Sequence, residues 1–491
     1  MVFMDFLNPQ KKRAHLMRLY VGYGLTAVLL AIGTLILTLA SYGYGIDRNT
    51  GTVIQNGLIS VASHPQSARI FVNNEDKGST SSRLVLPAGQ YNLELRSDGY
   101  RSWEHKVNLE GSIIEQLIYP VLFPEKLSTK SIQDFVNPPQ MASQSPDRRW
   151  LLTYSQPSTN IFNLIDLGNA KHPITSLTLP SDTVSMVAGV HSYEAIEWSS
   201  DNVHLLLRHT FTGGVEYIML NREDPANSVN INKLFPNQPF TSISLRDKKA
   251  DQFYLLSTTG GLLFRADNKS PNPVLLLSGV LSYKSYGSDT IMYVIPSKKI
   301  TGKVEARVSR GDKDNLLRNL PIAPLYLLDM AQFDNAYYLT TGSSADGRTY
   351  IYKDPLKVFE QQPTRSPQPF RVMIVPGLQF SSFSANTRFV VVQGGSSFGV
   401  YDIETARQFR YDTKLALNSA QKANWMDGHR LTLISAGNVN VFDFDNTNLQ
   451  VLTAGLQGFG PYFDRDYAAM FTITSSTNKT SLTRTELIVS K

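Results

Sequence analysis

The sequence predicts a mostly β protein with an N-terminal transmembrane helix, a small β-sandwich and a seven- or eight-bladed β-propeller. Three observations lead to this prediction. The segment from Leu19 to Ile46 contains no Asp, Glu, Lys or Arg. Apolar and polar residues alternate with a period of two between residues 56 and 120. Beyond residue 141, a unit made of a polar turn and an apolar strand recurs about every forty to fifty residues.

The uncharged segment is long enough to cross a bilayer, which takes about 20 apolar residues. Tyrosines near both of its ends fit an aromatic belt. Lys11, Lys12, Arg13 and Arg18 precede it, and basic residues on a short flanking segment stay in the cytoplasm. We therefore predict a basic cytoplasmic tail over residues 1–18, a membrane helix over residues 19–46 and an extracytoplasmic location for the rest.

The alternative is a signal peptide that is cleaved after the small-residue site Thr38-Leu39-Ala40. The apolar core of a signal peptide normally has only about 7–15 residues, and the apolar run here is longer. A retained anchor is therefore the favoured interpretation.

The charge distribution argues against a nucleic-acid partner. The chain has 491 residues and a formal net charge of +6. The first 18 residues contribute half of that charge, because their four Lys and Arg residues are opposed by Asp5 alone. The remaining residues contain no clustered basic stripe, which a nucleic-acid surface would need. With 42% hydrophobic and 18% charged residues, the composition is that of folded domains.

The chain contains no cysteine and eight histidines. The lack of cysteine excludes disulfides, thiol catalysis, iron–sulfur clusters and Cys-based zinc sites. None of the histidines stands in H-E-x-x-H spacing. His204 and His209 are five residues apart, so on a strand their side chains point to opposite faces. We therefore predict neither a metal site nor a cofactor.

Residues 56–120 have the pattern of short antiparallel strands. Apolar residues alternate with polar ones, as in Ile59 and Val61 or in Tyr91, Leu93 and Leu95. Turn residues separate these runs, namely Asn73-Asn74, Gly78, Pro87-Ala88-Gly89 and Asp98-Gly99. About sixty residues in about five or six strands predict a small β-sandwich.

This region resembles a PEGA domain. The resemblance rests on the motifs Ile59-Ser-Val-Ala-Ser63, Pro65-x-x-Ala68, Ile70-Phe-Val-Asn73-Asn74, Gly78-x-Thr80, Leu86-Pro87-x-Gly89-x-Tyr91 and Gly99-Tyr100-x-x-Trp103. Ser81 stands where the family commonly has proline. The resemblance implies a small β-sandwich of the cell envelope with a structural or adhesive role and no catalytic residues. Tyr100 and Trp103 could stack on carbohydrate, but we expect them to complete the core, because a small core needs aromatic area.

The recurring unit predicts the propeller. Its copies are Ser145–Tyr154, Trp198–Leu207, Leu245–Leu256, Tyr286–Val294, Phe333–Leu339, Phe383–Val392, Trp425–Ile434 and Phe463–Phe471. Many are followed by a partner strand, as expected for blades that pack radially around a channel. The pattern resembles the Tol-type, WD-repeat-like propellers of bacterial envelopes. An array of β-sandwiches is the structural alternative.

We accordingly assign residues 121–140 to a linker and residues 141–491 to the propeller. The number of blades stays open between seven and eight, because the first or last segment could complete a shared blade. No pattern in the sequence identifies the ligand-binding residues, which are unknown.

Two motifs resemble functional sites. Gly395-Ser-Ser-Phe-Gly399 matches the G-x-S-x-G elbow of α/β-hydrolases, but a strand rather than a helix is predicted after it, so we interpret it as a hairpin turn. Asp443-Phe-Asp445-Asn446-Thr-Asn448 has the alternating oxygens of a calcium loop without the Gly and Glu of an EF-hand, so we interpret it as an Asx turn. We predict no catalytic residue.

The sequence is compatible with three hypotheses about the function of the protein. The favoured one is a membrane-anchored binding or scaffold protein whose propeller meets an envelope protein or polysaccharide. The second is a lyase or glycoside hydrolase acting in the propeller channel, although carboxylates such as Glu194, Glu197 and Asp201 are expected to be solvated loop residues. The third is a sensor, which would need a signalling partner.

Overall fold

The computed structural model describes residues 9–46, 51–236, 239–362, 366–477 and 479–489. The chain divides into two compact units, Met1–Lys126 and Leu127–Lys491. The first contains a long helix and a small β-sandwich, and the second consists almost entirely of antiparallel sheets.

Helix α1 spans Pro9–Ser41, and its part from Arg13 to Ser41 is long and apolar enough to cross a membrane. Its apolar side chains are exposed, so they do not belong to the protein core. The hydroxyls of its three threonines donate to carbonyl oxygens one turn earlier, at 2.7–2.9 Å. These bonds satisfy polar groups inside the helix, which a hydrocarbon environment requires. The helix is thus suited to serve as a membrane anchor or as a signal sequence.

The helix ends five residues before the predicted segment does. Tyr44–Ile46 forms strand β1, which pairs with the start of the next strand. Residues 1–8 of the predicted cytoplasmic tail lie outside the described residues.

The sandwich consists of two four-stranded sheets. One contains β1, β2 (Val53–Val61), β5 (Ser82–Pro87) and β8 (Ile114–Leu117), with β8 parallel to β2. The other contains β3 (Arg69–Val72), β4 (Glu75–Ser79), β6 (Gly89–Arg96) and β7 (Trp103–Leu109). Ile59, Ile70, Leu95 and Val107 are buried between them, as the period of two predicted. Trp103 is buried and Tyr100 is half-buried, which agrees with a role in the core.

Ser81, the departure from the PEGA pattern, lies in the left-handed region at φ = 70°. Its N–H donates to the Val61 carbonyl at 2.9 Å. Proline, with φ fixed near −65° and no N–H, fits neither condition. The substitution therefore goes with a local backbone conformation that a proline would prevent.

The second unit forms eight four-stranded sheets among its described residues. Sheets 1 to 4 contain, in order, β10 (Met141–Gln144), β11 (Trp150–Tyr154), β12 (Ile161–Asp166), β13 (Ile174–Thr178); β14 (His191–Trp198), β15 (His204–Phe211), β16 (Gly214–Asn221), β17 (Val229–Asn230); β18 (Phe240–Leu245), β19 (Gln252–Ser257), β20 (Leu263–Asp267), β21 (Ser270–Leu277); and β22 (Ser282–Tyr286), β23 (Thr290–Pro296), β24 (Lys303–Arg310), β25 (Lys313–Pro321).

Sheets 5 to 7 contain β26 (Tyr326–Phe333), β27 (Ala336–Ser343), β28 (Arg348–Lys353), β29 (Arg371–Ile374); β30 (Phe380–Phe383), β31 (Phe389–Gly394), β32 (Ser397–Asp402), β33 (Gln408–Asp412); and β34 (Asn424–Trp425), β35 (Arg430–Ser435), β36 (Asn438–Asp443), β37 (Gln450–Ala454). Two short helices, α2 (Ile231–Leu234) and α3 (Pro355–Gln361), stand beside β17 and before β29.

Sheet 8 closes the ring with strands from both ends of the unit. It contains β38 (Tyr462–Phe463), β39 (Ala469–Ser476), β40 (Lys479–Glu486) and, as its fourth strand, β9 (Thr129–Phe135). The chain therefore enters the propeller within the segment that the sequence assigned to a linker. The described residues thus form eight sheets, the larger of the two blade numbers considered. The eighth is the shared blade, which β9 completes.

A turn of common construction joins the first two strands of several sheets. In sheet 1, Ser145 Oγ accepts the N–H of Trp150 at 3.0 Å, and Asp147 Oδ1 accepts the N–H of Arg149 at 3.2 Å. In sheet 6, Ser384 Oγ accepts the N–H of Phe389 at 3.0 Å, and Asn386 Oδ1 accepts the N–H of Arg388 at 3.2 Å. The polar residues of the repeated motif thus shape the turn, and the apolar residues after them enter the core.

Candidate binding site

The strand order of the sheets defines two ends of the propeller. Strands follow one another antiparallel in each sheet, so the first-to-second and third-to-fourth turns share one end. The second-to-third turns and the connections to the next sheet share the other end. We call these ends the turn face and the connection face. First strands of neighbouring sheets contact each other in sheets 1–3 and 4–6 and form the inner ring.

On the turn face, hydrogen bonds tie neighbouring sheets together. They join Asp147 N–H to Asn202 Oδ1 (3.0 Å), Ser200 N–H to Lys248 O (2.8 Å), Asp247 N–H to Gly287 O (3.1 Å), Thr387 Oγ1 to Gln332 O (2.7 Å) and the Tyr467 hydroxyl to Met426 O (2.9 Å). At this end, hydrogen bonds therefore link sheets 1 to 4 in sequence, sheet 5 to sheet 6 and sheet 7 to sheet 8.

The connection face instead presents apolar side chains to solvent. The exposed residues are Met186, Val187 and Val190 between sheets 1 and 2, Leu281 between sheets 3 and 4, and Ile322 between sheets 4 and 5. Val190 is 72% exposed and Ile322 is 62% exposed. Apolar side chains in loops at one end of a scaffold are a common feature of interaction surfaces.

The inner ring is rich in hydroxyl groups and poor in charge. Ser, Thr and Tyr residues recur on its strands, for example Ser242 and Ser244 on β18 and Ser381 and Ser382 on β30. The Ser244 and Tyr283 hydroxyls lie 3.0 Å apart across neighbouring sheets. The first strands of the eight sheets carry only four carboxylate or ammonium groups, on Glu194, Glu197, Lys284 and Asp329.

Two of these groups belong to a cluster with Lys422, which lies just before β34. Burial raises the pKa of Asp329, although Lys284 and Lys422 both act to lower it. Burial lowers the pKa of Lys422, Asp329 raises it, and Lys284 lowers it further. The three groups are thus near enough to act on each other while coming from sheet 4, sheet 5 and the connection before sheet 7. Within the described residues, neither ammonium group has a carboxylate within 4.0 Å.

A groove of about 360 Å³ begins at Lys422. Its walls are the connections on either side of sheet 7, and its other polar side chains are the amides Asn418, Gln421, Asn424 and Gln457, with Phe459 beside them. Amides both donate and accept hydrogen bonds, so this lining suits a ligand with hydroxyl or peptide groups. The groove and the charged cluster meet at Lys422.

The turn face has grooves as well. One of about 460 Å³ between sheets 2 and 3 is lined by Asp201, His204 and Lys248 among others. His204 Nδ1 lies 2.7 Å from Asp201 Oδ2. Burial raises the pKa of Asp201, but hydrogen bonds with Ser199, Val203 and His204 outweigh it and lower the pKa to about 2. Asp201 occupies the turn position that Asp147 holds in sheet 1, so its first role is to shape the turn.

The motifs singled out in the sequence have structural partners. In Gly395–Gly399, the turn joins β31 to β32, and Ser397 Oγ donates to Asp412 at 2.5 Å. A strand follows, as expected for a hairpin. In Asp443–Asn448, Asp445 accepts the backbone N–H and the hydroxyl of Thr447 at 3.1 and 2.6 Å, which is an Asx turn.

The structure also places the carboxylates and histidines that the sequence analysis named. Glu194 and Glu197 lie on β14 of the inner ring and not in a loop. Glu194 is exposed, whereas Glu197 is partly buried and accepts the N–H of Leu245 at 3.1 Å. His204 and His209 do separate, with His209 fully buried and His204 partly exposed. Within the described residues, no group of three or more His, Asp or Glu side chains could hold a metal ion.

Sequence reasoning missed Lys284, Asp329 and Lys422. Two of them interrupt apolar or hydroxyl-rich first strands, Ser282–Tyr286 and Tyr326–Phe333, with a single charge. A charge in a strand that should line a channel was an available signal, but the convergence of three such residues depends on how the ring closes.

Comparison with known proteins identifies one domain and supports no ligand. Residues 56–116 match the PEGA domain family. The comparison with curated protein sequences gives no significant match. Among solved structures, the β-propeller domain of Myceliophteria thermophila Swd1 is similar with 11% identity, 65% of this chain and 97% of the other covered, and a TM-score of 0.40.

Two further structures are similar at the same level. An oligogalacturonate lyase in complex with manganese has 12% identity, coverage of 74% and 98%, and a TM-score of 0.40. Apo AztD from Citrobacter koseri has 12% identity, coverage of 80% and 97%, and a TM-score of 0.39. The Tol-type character of the propeller stays a prediction. The chain is a PEGA domain-containing protein, in which an apolar helix precedes the PEGA domain of residues 56–116 and a β-propeller follows it.

Proposed function

We propose that this protein is a single-pass, membrane-anchored binding or scaffold protein of the cell envelope. Helix α1 is its anchor, with the N-terminus in the cytoplasm and the two domains outside. The propeller presents its connection face to an envelope protein or polysaccharide. The observation that carries this proposal is a connection face whose loops expose apolar side chains and whose groove is lined by amides.

The anchor and its orientation can be tested by cysteine labelling, because the native chain contains no cysteine. Single variants Arg13→Cys and Lys299→Cys place one thiol before the apolar segment and one in an exposed propeller turn. In intact cells, a membrane-impermeant maleimide should label Lys299→Cys only, and permeabilised cells should show both. Labelling of Arg13→Cys in intact cells, or loss of the N-terminal segment from the mature chain, would contradict the proposal.

Binding can be tested by capture from solubilised envelope on the immobilised full chain. A double variant in the groove, Asn424→Ala with Gln457→Ala, should lose the captured protein or glycan. The matched control is Lys249→Ala with Asn268→Ala in the turn-face groove, which should capture as the wild type does. Equal loss in both variants, or in neither, would count against the connection face.

A lyase is the second candidate, and Lys422 is the observation that favours it. An amine with a lowered pKa is a better base at neutral pH than an ordinary lysine. As a base, it would take the proton from the carbon next to a uronate carboxylate. The C–H electron pair then forms a C=C bond while the bond to the oxygen of the neighbouring sugar breaks, and that oxygen takes a proton from water, so no oxidant is needed. A glycoside hydrolase fits less well, because it needs two nearby carboxyl groups and the cluster has one. Release of an unsaturated sugar from an acidic polysaccharide, lost in Lys422→Gln, would support the lyase.

A further inference from the structure

The cluster of Lys284, Asp329 and Lys422 has an excess of positive charge, because among the described residues neither ammonium group has a carboxylate within 4.0 Å. It contains two ammonium groups, on Lys284 and Lys422, and one carboxyl group, on Asp329. Both lysine side chains reach solvent, although the protein around Lys422 partly desolvates its ammonium group, and Asp329 is half-buried. Accessible ammonium groups that approach each other without a close carboxylate repel one another, and a bound anion would relieve that repulsion.

The backbone around Lys422 is fixed by a buried side chain. Gln393 is 1% exposed, its amide N–H donates to Gln421 O at 2.7 Å, and its carbonyl oxygen accepts the Ala423 N–H at 2.8 Å. The residues on both sides of Lys422 are therefore held by one amide from sheet 6. A connection that was only a spacer would not need this arrangement, and a fixed backbone reduces the entropy lost when the side chain binds a ligand.

Asp329 is also held in place. Its Oδ1 accepts the N–H of Met330 at 3.0 Å. This bond connects it to the backbone of sheet 5 rather than to either lysine. The carboxyl group can thus set the electrostatic potential of the cluster without occupying the ammonium groups.

The surroundings define the rest of the ligand. The amides Asn418, Asn424 and Gln457 and the ring of Phe459 line the groove that starts at Lys422. Serines on β18 and β30 provide further hydroxyl groups on the inner strands. Amides and hydroxyls pair with hydroxyl groups, a ring can pack on a sugar face, and ammonium groups pair with carboxylate or phosphate oxygens.

We infer that Lys284 and Lys422 bind the anionic group of an acidic saccharide whose hydroxyl groups lie in the adjoining amide-lined groove. This inference rests on the proposed binding function and names its ligand class. The anion is a carboxylate or a phosphate. Asp329 keeps the two ammonium groups at the same site and limits the affinity for small inorganic anions.

The test uses the full chain in detergent micelles and isothermal titration calorimetry with three probes: an oligogalacturonate, a neutral malto-oligosaccharide of equal length and inorganic phosphate. The oligogalacturonate should bind, and the neutral sugar should bind at least about tenfold more weakly. Loss of one charge-assisted hydrogen bond corresponds to roughly a tenfold loss of affinity or more, so Lys284→Gln and Lys422→Gln should each show that loss. Lys299→Gln, in an exposed turn, is the matched control and should bind as the wild type does.

Asp329→Asn should strengthen oligogalacturonate binding, whereas the two lysine variants should weaken it. Asparagine keeps the oxygen that accepts from Met330 but removes the negative charge, so the affinity for the oligogalacturonate should rise by a few-fold. A purely structural role of the cluster would weaken binding in all three variants. Added salt should reduce the affinity of the wild type more than that of Lys284→Gln, because the variant has one ammonium group fewer whose attraction to the ligand is screened.

Each outcome decides the inference. Equal affinity for the charged and neutral sugars, or unchanged affinity in both lysine variants, would overturn it. Phosphate that binds as tightly as the oligogalacturonate, with the same dependence on the lysines, would overturn the saccharide part. If these tests fail while the groove variants still lose envelope capture, the proposed function stands and this ligand class falls.

Discussion

His209 and Glu216 form a hydrogen bond of 2.8 Å in the interior of sheet 2, where both side chains are almost fully buried. His209 Nε2 lies 2.9 Å from His191 Nδ1, and His191 Nε2 lies 2.7 Å from the carbonyl of Val187. These three contacts form one buried hydrogen-bonded chain from Glu216 through both histidines to the backbone of Val187.

This network holds a loop of the connection face. Glu216 also accepts the Ser185 N–H at 2.7 Å and an amide N–H of Asn230 at 2.7 Å. Asn230 in turn donates to Thr183 O at 2.9 Å. The exposed apolar residues from Met186 to Val190 are thus connected to the core through one buried carboxylate.

Removing that carboxylate should destabilise the propeller strongly. In Glu216→Gln, the buried groups of His209, Ser185 and Asn230 lose their charged hydrogen-bond acceptor, so we expect the free energy of unfolding to fall by about 3 kcal/mol. Urea unfolding of the full chain in detergent measures this change. Glu404→Gln is the matched control, because that partly exposed glutamate pairs with Arg388 at the surface and should contribute less than about 1 kcal/mol. Similar effects of the two substitutions would contradict the buried network.

Acid should destabilise the protein through carboxylates whose pKa is lowered by folding. Burial raises the pKa of Glu216, but hydrogen bonds from His209, Ser185 and Asn230 outweigh it and lower the pKa. The pKa of Asp201 is lowered to about 2. A group with a depressed folded-state pKa stabilises the fold above its unfolded pKa, about 3.9 for Asp, and this contribution is lost as the pH falls through the folded value.

We therefore expect stability to decline between about pH 4 and pH 2, and Asp201→Asn to reduce the slope of that decline. Urea midpoints measured across this range check the expectation. Asp312→Asn, in an exposed hairpin turn, should leave the slope unchanged. An identical slope in the wild type and Asp201→Asn would show that Asp201 makes no such contribution.

Arg148 connects three sheets on the turn face. It donates to Asp464 O at 3.4 Å and to Met426 O at 3.3 Å, and its guanidinium lies 4.1 Å from the centre of the Tyr467 ring. Arg148→Ala should lower stability by about 2 kcal/mol through loss of these contacts.

Backbone strain provides a comparison variant at the same position. Arg148 has φ = 64°, where a residue with a Cβ is strained by roughly 1 kcal/mol. Arg148→Gly loses the same contacts, but glycine adopts this φ without strain. It should therefore destabilise the protein by about 1 kcal/mol less than Arg148→Ala. Thermal unfolding of both variants gives the difference, and equal midpoints would remove the argument from strain.

Closure of the ring depends on β9, which pairs with β40 between Thr129 and Thr485 and between Phe135 and Thr480. Ile132 packs against the core of sheet 8. Ile132→Asp should expose the amides of β40 to hydrogen exchange, because an unpaired charge cannot be buried there without a cost of a few kcal/mol. Lys130→Asp, on the exposed side of the same strand, should leave their protection largely intact. Loss of protection in both variants alike would mean that Ile132 does not anchor the closure.

Local patterns determined the elements of this protein. A continuous uncharged run predicts a helix wherever it lies, since its backbone must satisfy itself in an apolar environment. Alternation predicted the strands that bury Ile59, Ile70 and Leu95, and the repeated turn residues such as Ser145 and Asp147 predicted where the sheets of the propeller begin. These features depend on neighbours that are near in sequence.

Tertiary structure decided what lies far apart in sequence. Pairing of β9 with β40 joins residues more than three hundred positions apart, and only this pairing completes the eighth sheet. Likewise, Lys284, Asp329 and Lys422 are unremarkable charges until ring closure brings three parts of the chain to one place. Periodicity reports which face of a strand is buried, whereas the distance between two strands is set by how all the sheets pack together, and for that reason the candidate site could be found only in the folded molecule.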